Sequence, residues 1–597
     1  MRQKRIRAQR LIAAAIGILA FVASVVSILA AQDSGRATSQ RSDFRVAPYL
    51  QNTSPGAVTI MWETNRATAS EVTYRRIGKE PERELTVTDD AKVKIHRVRI
   101  TGLAPDSRYA YGVRSGQEVR GGDFAAAPAK ERPIHFAIFG DSRFWGDYWQ
   151  TSPLPEHLLS KKPEFVLHMG DLVTDGRQYR QWQAHFERFE SVLKQVPLFP
   201  ARGNHERDPS QEPQNDWFGK YHELPGGEPY SSFDWGNSHF AIVSFTHVGK
   251  CASFLDADLG ATKKKWKFVA FHYPVYCTGY ESPSDGRKVA GNPELEAIFD
   301  KHRVDMVFVG HTHIYERTFP IRGGKRDDRN GTVYLVQGGA VGGNYPDWWT
   351  ATLPRDFSLP HYTFLEVQDD RIELRSYGLA KGDQKKGKAA EIVEIDHCVR
   401  WRDENLPRRI LSELPRSDGA QLLQTIEELG ATGYAPAAES LVRYLNHNDA
   451  AVRRAAALAL ERIANPGVSE KLALFLQDED MVVRRRAARA LEEAMLPSLA
   501  DKIMREILNP QQDSRVRICL LGALLHHAPR LAFPVAMKAI EASDGAVRDR
   551  AADVVKRTAT EKDLPVLAEL VRNEKRPYVA ACLARAVKRL NEQRDQR

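Results

Sequence analysis

Apolar and polar positions change rhythm three times along this chain of 597 residues. The first rhythm is alternation: Val58, Ile60 and Trp62 share one face of a strand, and Glu71 to Arg75, Arg97 to Ile100 and Tyr109 to Val113 continue the pattern. Short alternating strands parted by turn residues predict a β-sandwich over residues 44–129. The middle of the chain carries short, solidly apolar runs instead: Ile134 to Phe139, Phe165 to Met169, Pro197 to Ala201, Lys267 to Phe271 and Met306 to Val309. Bounded by Gly or Pro, runs of that length predict buried strands, here an α/β domain over residues 133–378. From about Gly419 the spacing turns helical and rich in Ala and Leu. A Val recurs at 452, 483, 516, 547 and 579, in steps of 31, 33, 31 and 32. So regular a period predicts an all-α solenoid over 416–597, with an Asp capping the second helix of each repeat and the Val turned inward. The polar stretch 32–43 and the charged, Gly-bearing stretch 379–415 are expected to be linkers.

The N-terminus follows none of these rhythms. Arg2, Lys4, Arg5, Arg7 and Arg10 precede an uncharged apolar run from Leu11 to Ala31. Such a run is long enough to span a bilayer, and the positions that should be small for cleavage hold Ile28 or Leu29. Residues 1–31 are expected to be a membrane anchor in preference to a removed signal peptide. In either case the basic flank stays cytoplasmic and the rest is exported. Those five basic residues also account for most of the formal charge of +9, leaving +4 without a basic block. Nucleic acid is therefore not an expected partner.

The chemistry lies just past the five apolar runs, in Gly140-Asp141-Ser142-Arg143, Gly170-Asp171, Gly203-Asn204-His205-Glu206, His272-Tyr273-Pro274 and Gly310-His311-Thr312-His313. Carboxyl ends of strands are where open α/β sheets gather ligands. Asp and Asn oxygens mixed with imidazoles suit Fe, Mn or Zn better than Mg or Ca. Two such ions can hold the attacking and leaving oxygens of a displacement at phosphorus, bridged by a carboxylate for which Asp171 is the candidate.

Taken in order, the five motifs resemble the calcineurin-like metallophosphoesterases, and the run Gly310-His311-Thr312-His313-Ile314-Tyr315-Glu316-Arg317 resembles the purple acid phosphatase branch. The resemblance implies a four-layer metallophosphoesterase sandwich with two transition-metal ions. It places Asp141, Asp171 and His313 on one ion, Asp171, Asn204, His272 and His311 on the other, and makes His205 a general acid. Tyr49-Leu50-Gln51-Asn52 before a Trp-bearing strand resembles the domain that precedes the catalytic one in that branch. Gly102-Leu103-Ala104-Pro105 with Tyr109 resembles the tyrosine corner of fibronectin type III-like sandwiches. The Asp-x-x-Val-Arg pattern of the repeats resembles HEAT-like repeats, whose concave surface would take a protein partner.

Two positions depart from the family. Where the wider family's first motif has a His on the first metal, this chain has Arg143, and where purple phosphatases supply a Tyr ligand it has Thr174. Arg143 is expected to hold a substrate phosphate oxygen, as a guanidinium fork suits one. The expected activity is metal-dependent hydrolysis of a phosphorylated substrate, a monoester by preference. Two alternatives stay open: a phosphodiesterase, or a catalytically weak scaffold acting through its repeats.

The remaining polar residues are expected to be structural. His168 reads as core, His185 as surface, Asp305 as a turn residue, the run Arg484 to Arg486 as a solvated helix face, and Tyr315, Glu316 and Arg317 as support for the metal loop. Of the five Cys, Cys251 and Cys277 flank one catalytic segment and are candidates for a disulfide, while Cys519 and Cys582 read as small core residues.

Overall fold

A computed structural model describes residues 43–78, 83–144, 153–207, 209–210, 212–244, 250–276, 292–339, 360–380 and 391–595. The anchor or signal expected at 1–31 and the Cys277 half of the candidate disulfide lie outside these. Among the described residues no helix is long and apolar enough to cross a membrane.

The N-terminal unit is a five-stranded antiparallel sheet. Two stretches expected as separate strands, Val58 to Trp62 and Glu71 to Arg75, belong to one strand, Ala57–Arg76, that bends where its register slips between Glu63 and Ser70. Slips of that kind leave residues unpaired and bend a strand without ending it. Val58, Ile60 and Trp62 bury one face in the unit's own core. Met61, on the opposite face, is equally buried, because that face packs with Tyr49 against Trp182, Phe186 and Tyr221 of the next domain. Tyr49 Oη donates to the Tyr221 carbonyl at 2.7 Å, and Tyr221 Oη donates to Glu63 Oε2 at 2.8 Å. The tyrosine corner is present: the Ala104 amide donates to Tyr109 Oη at 2.8 Å.

The middle domain has two six-stranded sheets. In one, the strands Ile134–Phe139, Val166–His168 and Leu198–Pro200 run parallel, and in the other Ser238–Val243, Trp266–Ala270, Met306–Val309 and Val333–Gln337 do so. The inner faces meet in an aromatic core of Phe136, Phe165, Phe240, Phe268 and Phe308. Helices Leu154–Ser160 and Tyr179–Leu193 cover one outer face, and Ala252–Ala261 and Pro293–His302 the other. The result is four layers, α/β/β/α.

Part of the expected linker is structure. Glu391–Trp401 is the edge strand of the first sheet, paired antiparallel along Arg371–Ala380. From this strand Asp396 accepts from Tyr315 Oη at 2.7 Å and Arg317 Nε at 2.6 Å. Asp305 is more than a turn residue, because it is buried and accepts from Arg402 Nε at 2.8 Å and Nη2 at 2.6 Å.

The C-terminal helices stack as a solenoid on one continuous core. Helices Ala450–Ile463, Met481–Ala494, Ser514–His527 and Gly545–Thr558 start at Asp449, Asp480, Asp513 and Asp544, whose carboxylates accept from first-turn amides. Val452, Val483, Val516, Val547 and Val579 are all buried. The Arg run is not merely a solvated face. Arg485 pairs with Asp513 at 2.7 Å and Arg486 with Glu461 at 2.9 Å, each spanning adjacent repeats. Repeats that touch only their neighbours gain from such pairs between them.

Candidate metal centre

All five motifs converge at the carboxyl ends of the parallel strands, on loops that hold unusual backbone. Asp141, Asp171, His311 and His313 have φ of 51°, 58°, 73° and 49°, in the left-handed region that costs a non-Gly residue free energy. The glycine of the fifth loop is there for space: a Cβ on Gly310 would stand 2.5 Å from Asp141 Oδ2.

His272 is completely buried, and its Nδ1–H donates to the Met169 carbonyl at 2.7 Å. That bond leaves Nε2 of the neutral ring bare, and Nε2 lies 2.9 Å from Asn204 Oδ1 and 3.3 Å from Asp171 Oδ1. His311 Nδ1 lies 3.1 Å from the same Asn204 oxygen. Oxygens of Asp171 and Asn204 thus gather round His272 Nε2, and Asp141, Asp171 and His272 bring ligand atoms within 4.8 Å of one another, a set that could hold a metal ion. Orientation of a ligating imidazole through its other nitrogen is characteristic of metal sites. Burial holds His311 down to about 3, keeping it in the neutral form that binds metals. His272 goes the other way: burial opposes its charge, but Asp171 and Asp141 push it up to about 9. Burial works to raise Asp171, yet His272, Arg143 and His205 hold it well below the usual carboxylate range. These residues fit a transition-metal ion.

The half expected to hold the other ion differs. His313 Nε2 is 3.4 Å from Asp141 Oδ1, a buried atom with no hydrogen-bond partner among the described residues. Arg143, however, donates from Nη1 to Asp171 Oδ2 and brings Nη2 to 2.9 Å from His313 Nε2. Its guanidinium therefore lies on two of the three expected ligands.

His205 Nδ1–H donates to the Thr174 carbonyl at 2.5 Å, which turns Nε2 toward the site, 3.8 Å from Asp171 Oδ2. Burial lowers its affinity for a proton, with Asp171 opposing. Thr174 thus contributes its backbone oxygen to His205.

Glu206 was present in the third motif but drew no role from the sequence. Buried, it accepts from the amides of Asp171 and Gly203 on Oε2, both at 2.8 Å, and of Leu172 on Oε1 at 2.7 Å. It clamps the loops that carry Asp171 and Asn204. His168 is core, as expected, and ties two motifs together: it accepts from the Gly170 amide at 3.2 Å and lies 2.9 Å from Ser142 Oγ. His185 corrects its reading, because it is buried among Trp182, Phe186 and Phe189, and burial drives its proton affinity well down.

Residues 134–315 match the model of the calcineurin-like phosphoesterase family. The chain carries a calcineurin-like phosphoesterase domain. Ahead of the phosphoesterase domain, residues 44–125 match the N-terminal domain of purple acid phosphatases, and beyond it residues 409–492 match HEAT repeats. Purple acid phosphatase 21 of Arabidopsis thaliana is 30% identical over 42% of this chain and 59% of its own length. Probable inactive purple acid phosphatase 27 of the same plant is 26% identical over 41% of this chain and 49% of its own. The chain thus spans less than two thirds of the length of these curated relatives. A purple acid phosphatase from yellow lupin seeds, PPD1, superposes with a TM-score of 0.47 at 19% identity, over 60% of this chain and 75% of that one.

Proposed function

We propose that the phosphoesterase domain hydrolyses phosphate esters, monoesters by preference, in a metal-dependent reaction outside the cytoplasm. The observation that carries this reading is the buried cluster of Asp141, Asp171 and His272, whose ligand atoms lie within 4.8 Å of one another, with Asn204 Oδ1 2.9 Å from His272 Nε2. Fe, Mn or Zn suits that mixture of oxygen and imidazole donors. A bound ion there supplies a Lewis acid for the phosphoryl oxygen and a water of lowered pKa. Asp171, reaching both halves of the site, would be the carboxylate shared between them, with Asp141 and His313 on its far side.

The chain's own residues complete the reaction. His205, fixed by Thr174, presents Nε2 to the cleft, and protonated there it delivers the proton to the departing alkoxide. Glu206 and His168 keep the Asp171 and Asn204 loops in register, and the N-terminal sheet buttresses the helix Tyr179–Leu193 behind them. The solenoid is the surface for a protein partner. A second reading, a catalytically weak scaffold acting through that surface, is favoured by Arg143 lying on the first-metal ligands.

Purified protein should retain transition metal through dialysis and hydrolyse an aryl phosphate, and Asp171→Ala should abolish both turnover and tight metal binding. Near-wild-type turnover of Asp171→Ala in metal-stripped buffer would refute the assignment. Retained metal with no detectable turnover of monoesters or diesters by the wild type would favour the scaffold.

A further inference from the structure

Arg143 begins two residues past the strand end that delivers Asp141, in the single turn Ser142–Phe144, where its backbone amide donates to the Asp171 carbonyl at 3.2 Å. Its side chain is 8% exposed, so this is a buried cation and not a rim residue. A buried guanidinium persists only where its charge is matched, and the match here is the carboxylate of Asp171. Nη2 meets His313 Nε2 at 2.9 Å, so that nitrogen of His313 accepts from the guanidinium and its lone pair is engaged. Asp171 Oδ2 and His313 Nε2 are the atoms a first metal ion would need. A His at position 143 would have been its next ligand, and Thr174 offers a backbone oxygen to His205 in place of a phenolate to a metal. Arg143 thus stands on two of the acceptors of this half, whereas Asn204 Oδ1 in the other is approached by the rings of His272 and His311.

We propose that this centre holds a single transition-metal ion, in the Asp171-Asn204-His272-His311 half, and that the Arg143 guanidinium stands permanently in the place of the first ion. The proposal rests on the phosphoesterase reading and narrows it: the bridging carboxylate joins a metal to an arginine. A second ion would have to displace the guanidinium into a buried position without its carboxylate, or sit beside it with like charge. Arg143 on this account is a positioning and charge-balancing residue, and His313 serves the arginine.

Metal stoichiometry tests this without reference to turnover. Full-length wild-type protein, loaded with excess manganese or zinc and then dialysed, should retain one equivalent per chain by elemental analysis. The manganese form should give the electron paramagnetic resonance spectrum of an isolated ion and not of an exchange-coupled pair. Arg143→His should raise the retained metal to two equivalents with a coupled spectrum. His313→Ala should leave the single equivalent in place, whereas Asn204→Ala should lose it. Two equivalents in the wild type, or loss of metal from His313→Ala, would overturn the single-ion proposal while leaving the phosphoesterase reading intact. No retained metal in a folded wild type would overturn both. Should Arg143→His fail to fold, the wild-type stoichiometry and His313→Ala still decide.

Discussion

Glu206→Gln changes one atom of a side chain that never needs to touch a substrate, yet it should disable the centre. The carboxylate accepts four backbone amides: Asp171 and Gly203 on Oε2 at 2.8 Å each, and Leu172 at 2.7 Å and Val173 at 3.3 Å on Oε1. A Gln has one acceptor oxygen, so whichever way it turns, two amides lose their partner and face an NH₂ group. Burial and Asp171 push Glu206 up to about 7, so above that pH, where it is charged and each hydrogen bond to it is worth about 1.5–3 kcal/mol, the loss is about 3–6 kcal/mol. It falls on the loops carrying Asp171 and Asn204. In a chain of several domains one global unfolding free energy is not defined, so the readout must be local. Amide hydrogen exchange at Asp171, Leu172, Val173 and Gly203 should accelerate by roughly 10² or more, at 1.36 kcal/mol per tenfold. Metal affinity should fall about 10–100-fold, as it does when a residue supporting a ligand is lost. Unchanged exchange at these amides together with metal affinity within twofold of wild type would refute the clamp.

His205→Ala should keep its metal but lose about 10²–10⁴ in rate on alkyl phosphates, whose leaving group needs a proton, and far less on a nitrophenyl phosphate; equal losses on both would count against a general acid. His239 offers a pH test away from the centre: burial works against its charge, but Asp234 at 2.7 Å and Asp258 at 2.8 Å push it up to about 9. Because the folded value is raised, its contribution is fully present below about 6.5 and disappears as pH rises through about 9, with a ceiling of about 3 kcal/mol. His239→Gln should therefore flatten the loss of local amide-exchange protection along Ser238–Val243, corrected for intrinsic exchange, between pH 6 and pH 10, and an unaltered slope would exclude the ion pair as its source.

Local patterns made much of this protein legible in its sequence. Each of the five motifs ends an apolar run, and a buried strand of that length forms wherever two sheets can cover it, so Asp141, Asp171, Asn204, His272 and His311 were already placed at strand ends. The solenoid followed from the recurring Val and its Asp cap, both of which act within one turn of helix. What needed the tertiary structure is whatever depends on a partner far along the chain. His185 reads as surface on its own helix and is buried because the helix turns it toward His168 of the strand Val166–His168. Glu391–Trp401 reads as linker because an edge strand takes its register from the strand beside it and not from a core-facing alternation of its own. Glu206 looks like the tail of a motif until the amides of Asp171 and Leu172, 35 and 34 positions away, close on it. Arg143 is the sharpest case. Composition allows it to meet either a phosphate or a carboxylate, and its place beside Asp171 and beside His313, 170 residues later, comes from the fold, because a side chain's charge is matched in space and not in sequence.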